Sequence, residues 1–513
     1  MSIKDKLISN SMYLALSWAF DTLSYMAFWI LLAKFLLPSS YGIVALSLQI
    51  VVFLSTLSVF GLDITTNKLV PELMKKEEKE KLQGLISSSL KIALAASVAF
   101  SLGFAVFSLT FPHVLNSPAD ALWIIVASTI AMTVASLLES IYMGFQNMKK
   151  VFLTRTGGNF LMVMFVVVFA GLNYGYVGSV LAYLIGFAFM ILTRLGKKLF
   201  TIAKKSVTDM KLLLSYSIPA FTVTLFSVVY SSTQFMILSA ITTAEITGLF
   251  AVPMKIAAVL SVVPNVLARG LFPIVSELSI DKNSKHKQSY LVSLVFRYGA
   301  LLIVPMSVSM IVFSKQLILF FSTSEYLPTI GILPILVLGA ALLGLANQFL
   351  ISLYATGEPK KYRNSYIIST IVYIALSVTL TYYFSATGMA YAYLLSSLTL
   401  LLTTFTFIRK GLDLKLPFKD VGKMVVAMLL PAVFMFFTLP YAPNILFAAP
   451  FVLAAGLIYL VTLLKMNFYV KEDLKLLDTV AAKMPVEMLR KTVLAFRGLV
   501  SKFVCDDYAK HCE

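Results

Sequence analysis

The chain has few cysteines and few histidines, which limits the sites that it can build. Its two cysteines, Cys505 and Cys512, both lie near the C-terminal end, so no disulfide framework supports the fold. Together with His511 they could be read as a metal site, yet their spacing matches no common zinc pattern. We therefore predict no metal site, and we expect this end to be a frayed or weakly interfacial tail.

Charged residues are also scarce. They make up 13% of the chain, hydrophobic residues make up 59%, and the mean hydropathy is +0.89. Soluble globular proteins are about one-half apolar, so this composition excludes a soluble enzyme. The Gly-rich Walker pattern that binds ATP does not occur in the sequence either. We predict no cofactor and no ATP hydrolysis by this chain.

Long apolar runs dominate the sequence. A transmembrane helix needs about 20 consecutive apolar residues, and about fourteen stretches qualify. They lie near 11–34, 41–62, 86–110, 119–145, 151–171, 175–193, 213–240, 246–272, 290–313, 329–353, 364–384, 387–408, 424–440 and 444–464. The sequence therefore predicts an all-α polytopic membrane protein with about fourteen transmembrane helices.

The positive charges are segregated between these runs. Most of the 42 Lys and Arg residues fall in every second connection, and the termini are among the basic segments. Because short cytoplasmic loops are enriched in Lys and Arg, we predict a cell-membrane protein with both termini in the cytoplasm. The same bias, with attraction to anionic lipids, explains the net charge of +18 without a nucleic-acid partner.

The chain contains an internal repeat. Shifting the sequence by about 206 residues places Tyr41-Gly42 on Thr247-Gly248, and small gaps then place Gly61-Leu62 on Gly270-Leu271. The offset covers six spans, an even number, so the two halves keep the same orientation in the membrane. We predict an N-lobe at 1–193, a basic cytoplasmic linker at 194–212, a C-lobe at 213–408, two extra spans at 409–466 and a cytoplasmic amphipathic tail at 467–513.

Lys255 is the most prominent charge inside a predicted span. It lies about nine residues into the eighth helix, roughly 14 Å deep, close to the bilayer midplane. Pro253 precedes it and could bend the helix there. Charges at this depth are costly and so mark functional candidates. A midplane ammonium suits an anionic group such as a phosphate; the alternative is a structural lysine paired with an acid on another helix.

Other polar residues in the spans are weaker candidates. Asp21 is the deepest acid, and it could carry a proton or cation or neutralise Lys255. Arg269 and Glu139 lie nearer the inner helix ends, where long side chains reach water, so structural roles are favoured; Arg269 is kept as a candidate substrate contact. Gln49 aligns with Lys255 in the repeat. We expect these two to face one central cavity from opposite lobes.

The sequence resembles Wzx-type polysaccharide flippases of the multidrug/oligosaccharidyl-lipid/polysaccharide (MOP) exporter superfamily. The resemblance rests on the eighth-span segment, in which a basic residue commonly occupies the position of Lys255, and on features of the first hairpin. Those features are Ala33-Lys34-Phe35-Leu36, Tyr41-Gly42, Gly61-Leu62, Lys68 and Pro71-Glu72. It implies two six-helix lobes, arranged as in multidrug and toxin extrusion (MATE) transporters, around a cavity that opens alternately to each side.

The resemblance also implies a substrate and partners. The substrate would be a lipid-linked oligosaccharide moved from the inner to the outer leaflet, with Lys255 holding its phosphate or pyrophosphate. Candidate partners are membrane lipids, a coupling ion (H⁺ or Na⁺) and glycan assembly proteins. A MATE-type antiporter for cationic drugs is an alternative that Asp21 favours and Lys255 opposes. A lipid II flippase is less favoured, because the first two helices lack several cavity arginines.

Overall fold

The computed structural model of the protein describes residues 3–111, 119–195, 210–279, 284–412, 414, 417–470, 473, 474, 478, 481, 482 and 487–501. These residues are almost entirely α-helical and include no β-strand. Helices are expected because lipid offers no partner to backbone polar groups, which must therefore bond within the segment. The predicted linker core, 196–209, and the tail residues Cys505, His511 and Cys512 lie outside the described residues.

The helices follow one another with short connections. The first ones are α1 (Ile3–Phe35), α2 (Pro38–Val59), α3 (Leu62–Lys75), α4 (Lys79–Thr110), α5 (Ala119–Gly144), α6 (Met148–Gly171), α7 (Gly175–Arg194), α8 (Met210–Ile241) and α9 (Ala244–Ala258). The remaining ones are α10 (Val262–Leu278), α11 (Lys285–Val312), α12 (Ser314–Phe321), α13 (Ile332–Ala355), α14 (Pro359–Leu412), α15 (Phe418–Thr438), α16 (Ile445–Lys465) and α17 (Glu487–Val500).

The described residues contain thirteen helical segments long and apolar enough to cross a membrane. One of them, α14, has 54 residues and is broken at Ser385, where φ is 53° and ψ is −135°. A Cβ on Gly388 would lie 1.9 Å from the Leu380 carbonyl oxygen, which eight residues of straight helix would place about 12 Å away. The chain therefore folds back at Ser385 as two antiparallel helices. The predicted all-α membrane fold with about fourteen spans is confirmed.

The helices group into two compact units. The first contains Met1–Lys255, Phe321–Thr329 and Ser369–Ala392, and the second contains Ile256–Phe320, Ile330–Ile368 and Tyr393–Glu513. The predicted lobes, 1–193 and 213–408, are defined by the repeat and not by compactness. Their boundaries stay a prediction.

The repeat is visible in a glycine contact inside the first unit. A Cβ on Gly42 would lie 1.9 Å from the Ala244 carbonyl oxygen, and one on Gly248 would lie 1.8 Å from the Pro38 carbonyl oxygen. Ala244 and Gly248 follow Pro38 and Gly42 by the same offset of about 206 residues, so the contact is reciprocal, as a two-fold axis requires. Only glycine permits α2 and α9 to approach this closely.

The bend in the eighth span is not at Pro253. Regular α-helix continues through Pro253 to Ala258, and a 3₁₀ turn at Val259–Ser261 separates α9 from α10. The physical reason is Pro264, early in α10, which has no N–H to donate and whose ring clashes with the carbonyl four residues earlier. Lys255 consequently lies in the last turn of α9, where the helix dipole favours a cation.

A helix also follows the last span. The apolar spacing near the C-terminal end predicts an amphipathic helix, and α17 (Glu487–Val500) confirms that it is helical. Its predicted position on the inner membrane surface stays a prediction.

Candidate functional site

Lys255 lies among aromatic rings of the first unit. Its Nζ is 4.1 Å from the ring centroid of Trp29, 5.5 Å from that of Tyr25 and 5.7 Å from that of Phe235. The same Nζ donates to the Tyr25 hydroxyl at 3.3 Å. Among the residues that the structure describes, no acid forms an ion pair with Lys255. The alternative of a lysine neutralised by an acid on another helix is therefore not what the structure shows.

The rings stabilise the ammonium without cancelling its charge. A cation over aromatic faces gains about 0.5–2 kcal/mol per favourable contact, more where water is excluded. An ammonium has three N–H donors, and among the described residues the Lys255 ammonium donates to the Tyr25 hydroxyl. No described carboxylate pairs with this ammonium, and its remaining donors could form charge-assisted hydrogen bonds to an anion.

Asp21 is paired with Arg155, which the sequence analysis assigned to a basic connection between spans. Arg155 donates from Nη2 to Asp21 Oδ2 at 2.8 Å and from Nε to Asp21 Oδ1 at 3.2 Å. Asn159, one helical turn further along α6, donates from Nδ2 to the same Oδ1 at 2.7 Å. Asp21 is thus neutralised by Arg155, and the predicted option of pairing with Lys255 is not realised in this structure.

The ion pairs continue to Glu139 and Arg194. Arg155 Nη1 lies 3.3 Å from Glu139 Oε1, and Arg194 Nη2 lies 2.8 Å from Glu139 Oε2. The side chain of Arg194 is only 1% exposed, and it also donates to the Thr154 hydroxyl and the Ala135 carbonyl oxygen at 2.9 Å each. Two acids and two arginines therefore form one chain of alternating charge across α1, α5, α6 and α7.

This chain of charges lines a cavity of about 480 Å³, which we call the polar cavity. Its polar lining consists of Asp21, Tyr25, Asp63, Asn67, Ser136, Glu139, Ser140, Arg155, Asn159, Tyr183 and Arg194, and apolar residues including Val52, Met132 and Phe187 complete it. All of these residues belong to the first unit. Asp63, on α3 outside the membrane-spanning helices, is half-buried, and desolvation raises its pKa.

The structure places the four predicted site residues in different surroundings and does not bring them all to one cavity. Asp21 lines the polar cavity, and Lys255 contacts Tyr25, which also lines it. Gln49 does not line it; its Nε2 donates to the Ser232 hydroxyl at 2.8 Å. Arg269 is exposed on α10 in the second unit. The roles predicted for all four residues stay predictions.

The sequence-based reasoning missed Arg155 and Arg194, because both lie near helix ends and were counted among the cations of cytoplasmic connections. One signal could have identified Arg155: it precedes Asn159 by four residues, so the two lie on one helix face.

The second unit holds a separate buried ion cluster. Arg297 on α11 is 0% exposed; its Nε lies 2.7 Å from Asp420 Oδ2 and its Nη1 lies 2.8 Å from Asp473 Oδ1. Arg297 Nη2 donates to the Phe468 carbonyl oxygen at 2.8 Å, and the Tyr298 hydroxyl donates to Asp473 at 2.7 Å. With no exposed charge, this cluster connects α15 and the segment after α16 to α11.

The chain matches a protein-family model described as polysaccharide biosynthesis protein over residues 7–279, just over half of its length. Among solved structures it is similar to lipid II flippase MurJ in an inward closed conformation, with 18% identity and a TM-score of 0.65. That match covers 89% of this chain and 98% of the other. No curated protein sequence matches the chain.

Two further structures share the fold. An inward-facing MATE family multidrug transporter of the MOP superfamily matches with 15% identity and a TM-score of 0.61, covering 77% of this chain and 94% of the other. The Vibrio cholerae MATE transporter VcmN in its bent form matches with 15% identity and a TM-score of 0.53, covering 80% and 98%. The resemblance seen in the sequence is confirmed for family and fold.

Proposed function

The chain belongs to the polysaccharide biosynthesis protein family, and from that premise we propose that it moves a lipid-linked oligosaccharide from the cytoplasmic to the outer leaflet of the cell membrane. The head group would be sugars on a polyprenyl phosphate or pyrophosphate, and the lipid tail would stay in the bilayer. Transport would proceed by alternating access, as for other transporters of this fold, with both termini in the cytoplasm.

The observation that supports this substrate is the environment of Lys255. Every polyprenyl-linked sugar carries a phosphate or pyrophosphate, which is the one strong charge common to all such substrates. Lys255 lies in the last turn of a membrane helix, is surrounded by Tyr25, Trp29 and Phe235, and pairs with no described carboxylate. A phosphate would replace hydration of the ammonium with charge-assisted hydrogen bonds.

The first hairpin supplies a candidate for the closed outer gate. Lys34 donates to the Ser322 carbonyl oxygen, and the Tyr326 hydroxyl donates to the Leu36 carbonyl oxygen at 3.0 Å. The rings of Tyr41 and Tyr326 also meet, with centroids 5.9 Å apart. In the predicted topology the connection after α1 is on the outer side, so these contacts would have to break before the head group leaves.

Asp21 is the proposed coupling residue. A proton or Na⁺ that takes its carboxylate has to displace the guanidinium of Arg155, which is bonded to both carboxylate oxygens. Ion binding would therefore change the charge chain that lines the polar cavity. An ion gradient could in this way shift the conformational equilibrium of the first unit.

A MATE-type antiporter for cationic drugs is the second candidate, favoured by the shared fold and by an acid in the first helix. A cationic cargo would be repelled by Lys255, so we rank it below the flippase. The likeness to lipid II flippase MurJ shows the fold alone, and lipid II remains one of the substrates to be compared.

Replacement of Lys255 tests the proposal. Purified protein in vesicles should move a polyprenyl-pyrophosphate oligosaccharide between leaflets; Lys255→Ala should lower the rate at least about tenfold, since about 1.4 kcal/mol of binding corresponds to that factor, and Lys255→Arg should keep part of it. Lys91→Ala, which removes an exposed lysine from the membrane helix α4, is the matched control. Full activity of Lys255→Ala would reject the assigned role.

A further inference from the structure

We propose that the polar cavity is a sugar-binding subsite, which takes a sugar ring of the oligosaccharide while Lys255 holds the phosphate next to it. This inference rests on the proposed function. It assigns the sugar of the same substrate to the polar cavity, beside the phosphate site at Lys255. It concerns the residues of α1, α5, α6 and α7 that line the cavity.

The charges of the cavity favour a neutral ligand rich in hydroxyl groups. The ion-paired chain of Asp21, Arg155, Glu139 and Arg194 sums to zero. Asp63 is the one further acid on the lining, so the cavity offers no excess positive charge to a free anion and at most one negative charge to a free cation. A sugar hydroxyl both donates and accepts, and it therefore bonds to a carboxylate on one side and to a guanidinium or amide on the other.

These polar groups retain bonding capacity toward the cavity. Arg155 uses one N–H from each of its three nitrogens, which leaves donors of the guanidinium unused. The side chains of Arg155, Asp21 and Glu139 are 27%, 34% and 20% exposed. The network fixes their positions, so a ligand meets donors and acceptors that need no reorganisation.

Aromatic rings and cavity size agree with a sugar. Tyr25, Tyr183 and Phe187 line the cavity, and the last two rings meet edge to face with centroids 4.9 Å apart. The apolar C–H face of a sugar ring packs against such surfaces while its hydroxyls reach the polar side. A volume of about 480 Å³ lies within the range of small-ligand pockets and excludes a polymer.

Tyr25 connects this cavity with Lys255. Its side chain lines the polar cavity, and its hydroxyl accepts a hydrogen bond from Lys255 Nζ at 3.3 Å. Asp21 lies one turn earlier on the same helix face. A phosphate held by Lys255 therefore places the sugar bonded to it beside Tyr25 and Asp21, which matches the order of groups in a sugar-phosphate lipid.

The test separates the two halves of the head group. The first probe is the phosphate-free oligosaccharide pool released by mild acid from the lipid-linked glycans of the source cell; the second is inorganic pyrophosphate. Binding to the purified full chain is measured by calorimetry. The oligosaccharide should bind the wild type and Lys255→Ala equally, whereas pyrophosphate should bind the wild type and lose at least about tenfold in Lys255→Ala.

Two substitutions in the cavity should have the opposite effect to Lys255→Ala and weaken only oligosaccharide binding. Asn159→Ala removes an amide donor, and Phe187→Ala removes a ring without touching the ion pairs. Each should weaken oligosaccharide binding about tenfold and leave pyrophosphate binding unchanged. Gln234→Ala is the matched control, because this amide is bonded to Tyr373 in the same unit and does not line the cavity.

Two outcomes would overturn the subsite. One is a wild type that moves the intact glycolipid in a Lys255-dependent manner yet binds none of the phosphate-free oligosaccharides. The other is oligosaccharide binding that both cavity variants retain at wild-type strength. Either result would leave the proposed function standing. Absence of glycolipid movement by the wild type would instead reject the proposed function itself.

Discussion

Lys255 is surrounded by aromatic rings and pairs with no described carboxylate. Asp21 is the opposite case: it is a membrane acid with an arginine and an amide on its two oxygens. The two charged residues therefore have separate surroundings on either side of Tyr25. In the proposed mechanism, this separation would let Lys255 bind the substrate's anion while Asp21 responds to a coupling ion.

Replacing Asp21 tests ion coupling. Asp21→Asn keeps the side chain's size but can no longer exchange a proton or Na⁺ for Arg155, so transport should lose its dependence on the proton or sodium gradient. The measurement is the glycolipid transport rate in vesicles with and without each imposed gradient. Glu245→Gln, at an exposed acid in the first turn of α9, should behave as the wild type. A variant of Asp21 that still follows the gradient would refute the coupling role.

Charged residues in the middle of an apolar run can be identified from sequence, because burying a charge in lipid is costly and such residues are rare there. This is how Lys255 and Asp21 were found. Arg155 and Arg194 were not identified, since each lies toward a helix end where the positive-inside pattern already accounts for cations. Arg297 was not identified because it follows the basic start of α11 and was counted with that connection, although it lies near the middle of the helix. The rings around Lys255 come from α1 and α8, and no local pattern in α9 reports them.

Among the helices, α2 and α9 meet through equivalent glycines. Gly42→Ala and Gly248→Ala should each destabilise the protein by about 1–3 kcal/mol, because the added methyl group would meet backbone atoms that cannot move aside cheaply. The reciprocal geometry predicts similar losses for the two variants. The midpoint of thermal unfolding in detergent is the readout.

Gly103→Ala on α4 serves as the control for this pair, because nothing lies within 4 Å of the added methyl group. That variant should be neutral or slightly stabilised, since alanine favours helix. If Gly42→Ala unfolded at the same temperature as Gly103→Ala, the close helix crossing would be wrong.

Arg297 holds α15 and the segment after α16 against α11. Arg297→Ala leaves Asp420 and Asp473 buried without their cation, and such a loss costs about 3–5 kcal/mol. Arg497→Ala removes an arginine from an exposed pair with Asp478, which contributes about 0–1 kcal/mol. Thermal unfolding of the two variants should therefore differ clearly, and equal shifts would contradict the buried cluster.

The positions of the spans could be predicted because length and apolarity determine them. The amphipathic helix α3 (Leu62–Lys75) was not predicted, since its charged residues read as a basic connection. The break in the eighth span was expected at Pro253 and occurs at Val259–Ser261. The span contains Pro253 and Pro264. The structure shows that regular helix continues through Pro253 and is interrupted just before Pro264.

For the whole molecule, the parallel repeat is the feature that sequence and structure share most directly. The offset that aligned Tyr41-Gly42 with Thr247-Gly248 also relates the two halves of the contact between α2 and α9. Repeat and family together indicate a transporter, while the substrate depends on side chains that differ among proteins of this fold. The cavity's ion pairs and Lys255 therefore carry the proposal about cargo.

The most direct measurement is leaflet-to-leaflet movement of a polyprenyl-pyrophosphate oligosaccharide in vesicles containing the purified wild-type protein, with empty vesicles beside them. The same vesicles receive a lipophilic cation together with a proton or sodium gradient. We predict that the glycolipid moves faster than in empty vesicles and that the cation is not pumped. Cation pumping without glycolipid movement would contradict the flippase proposal and establish the antiporter.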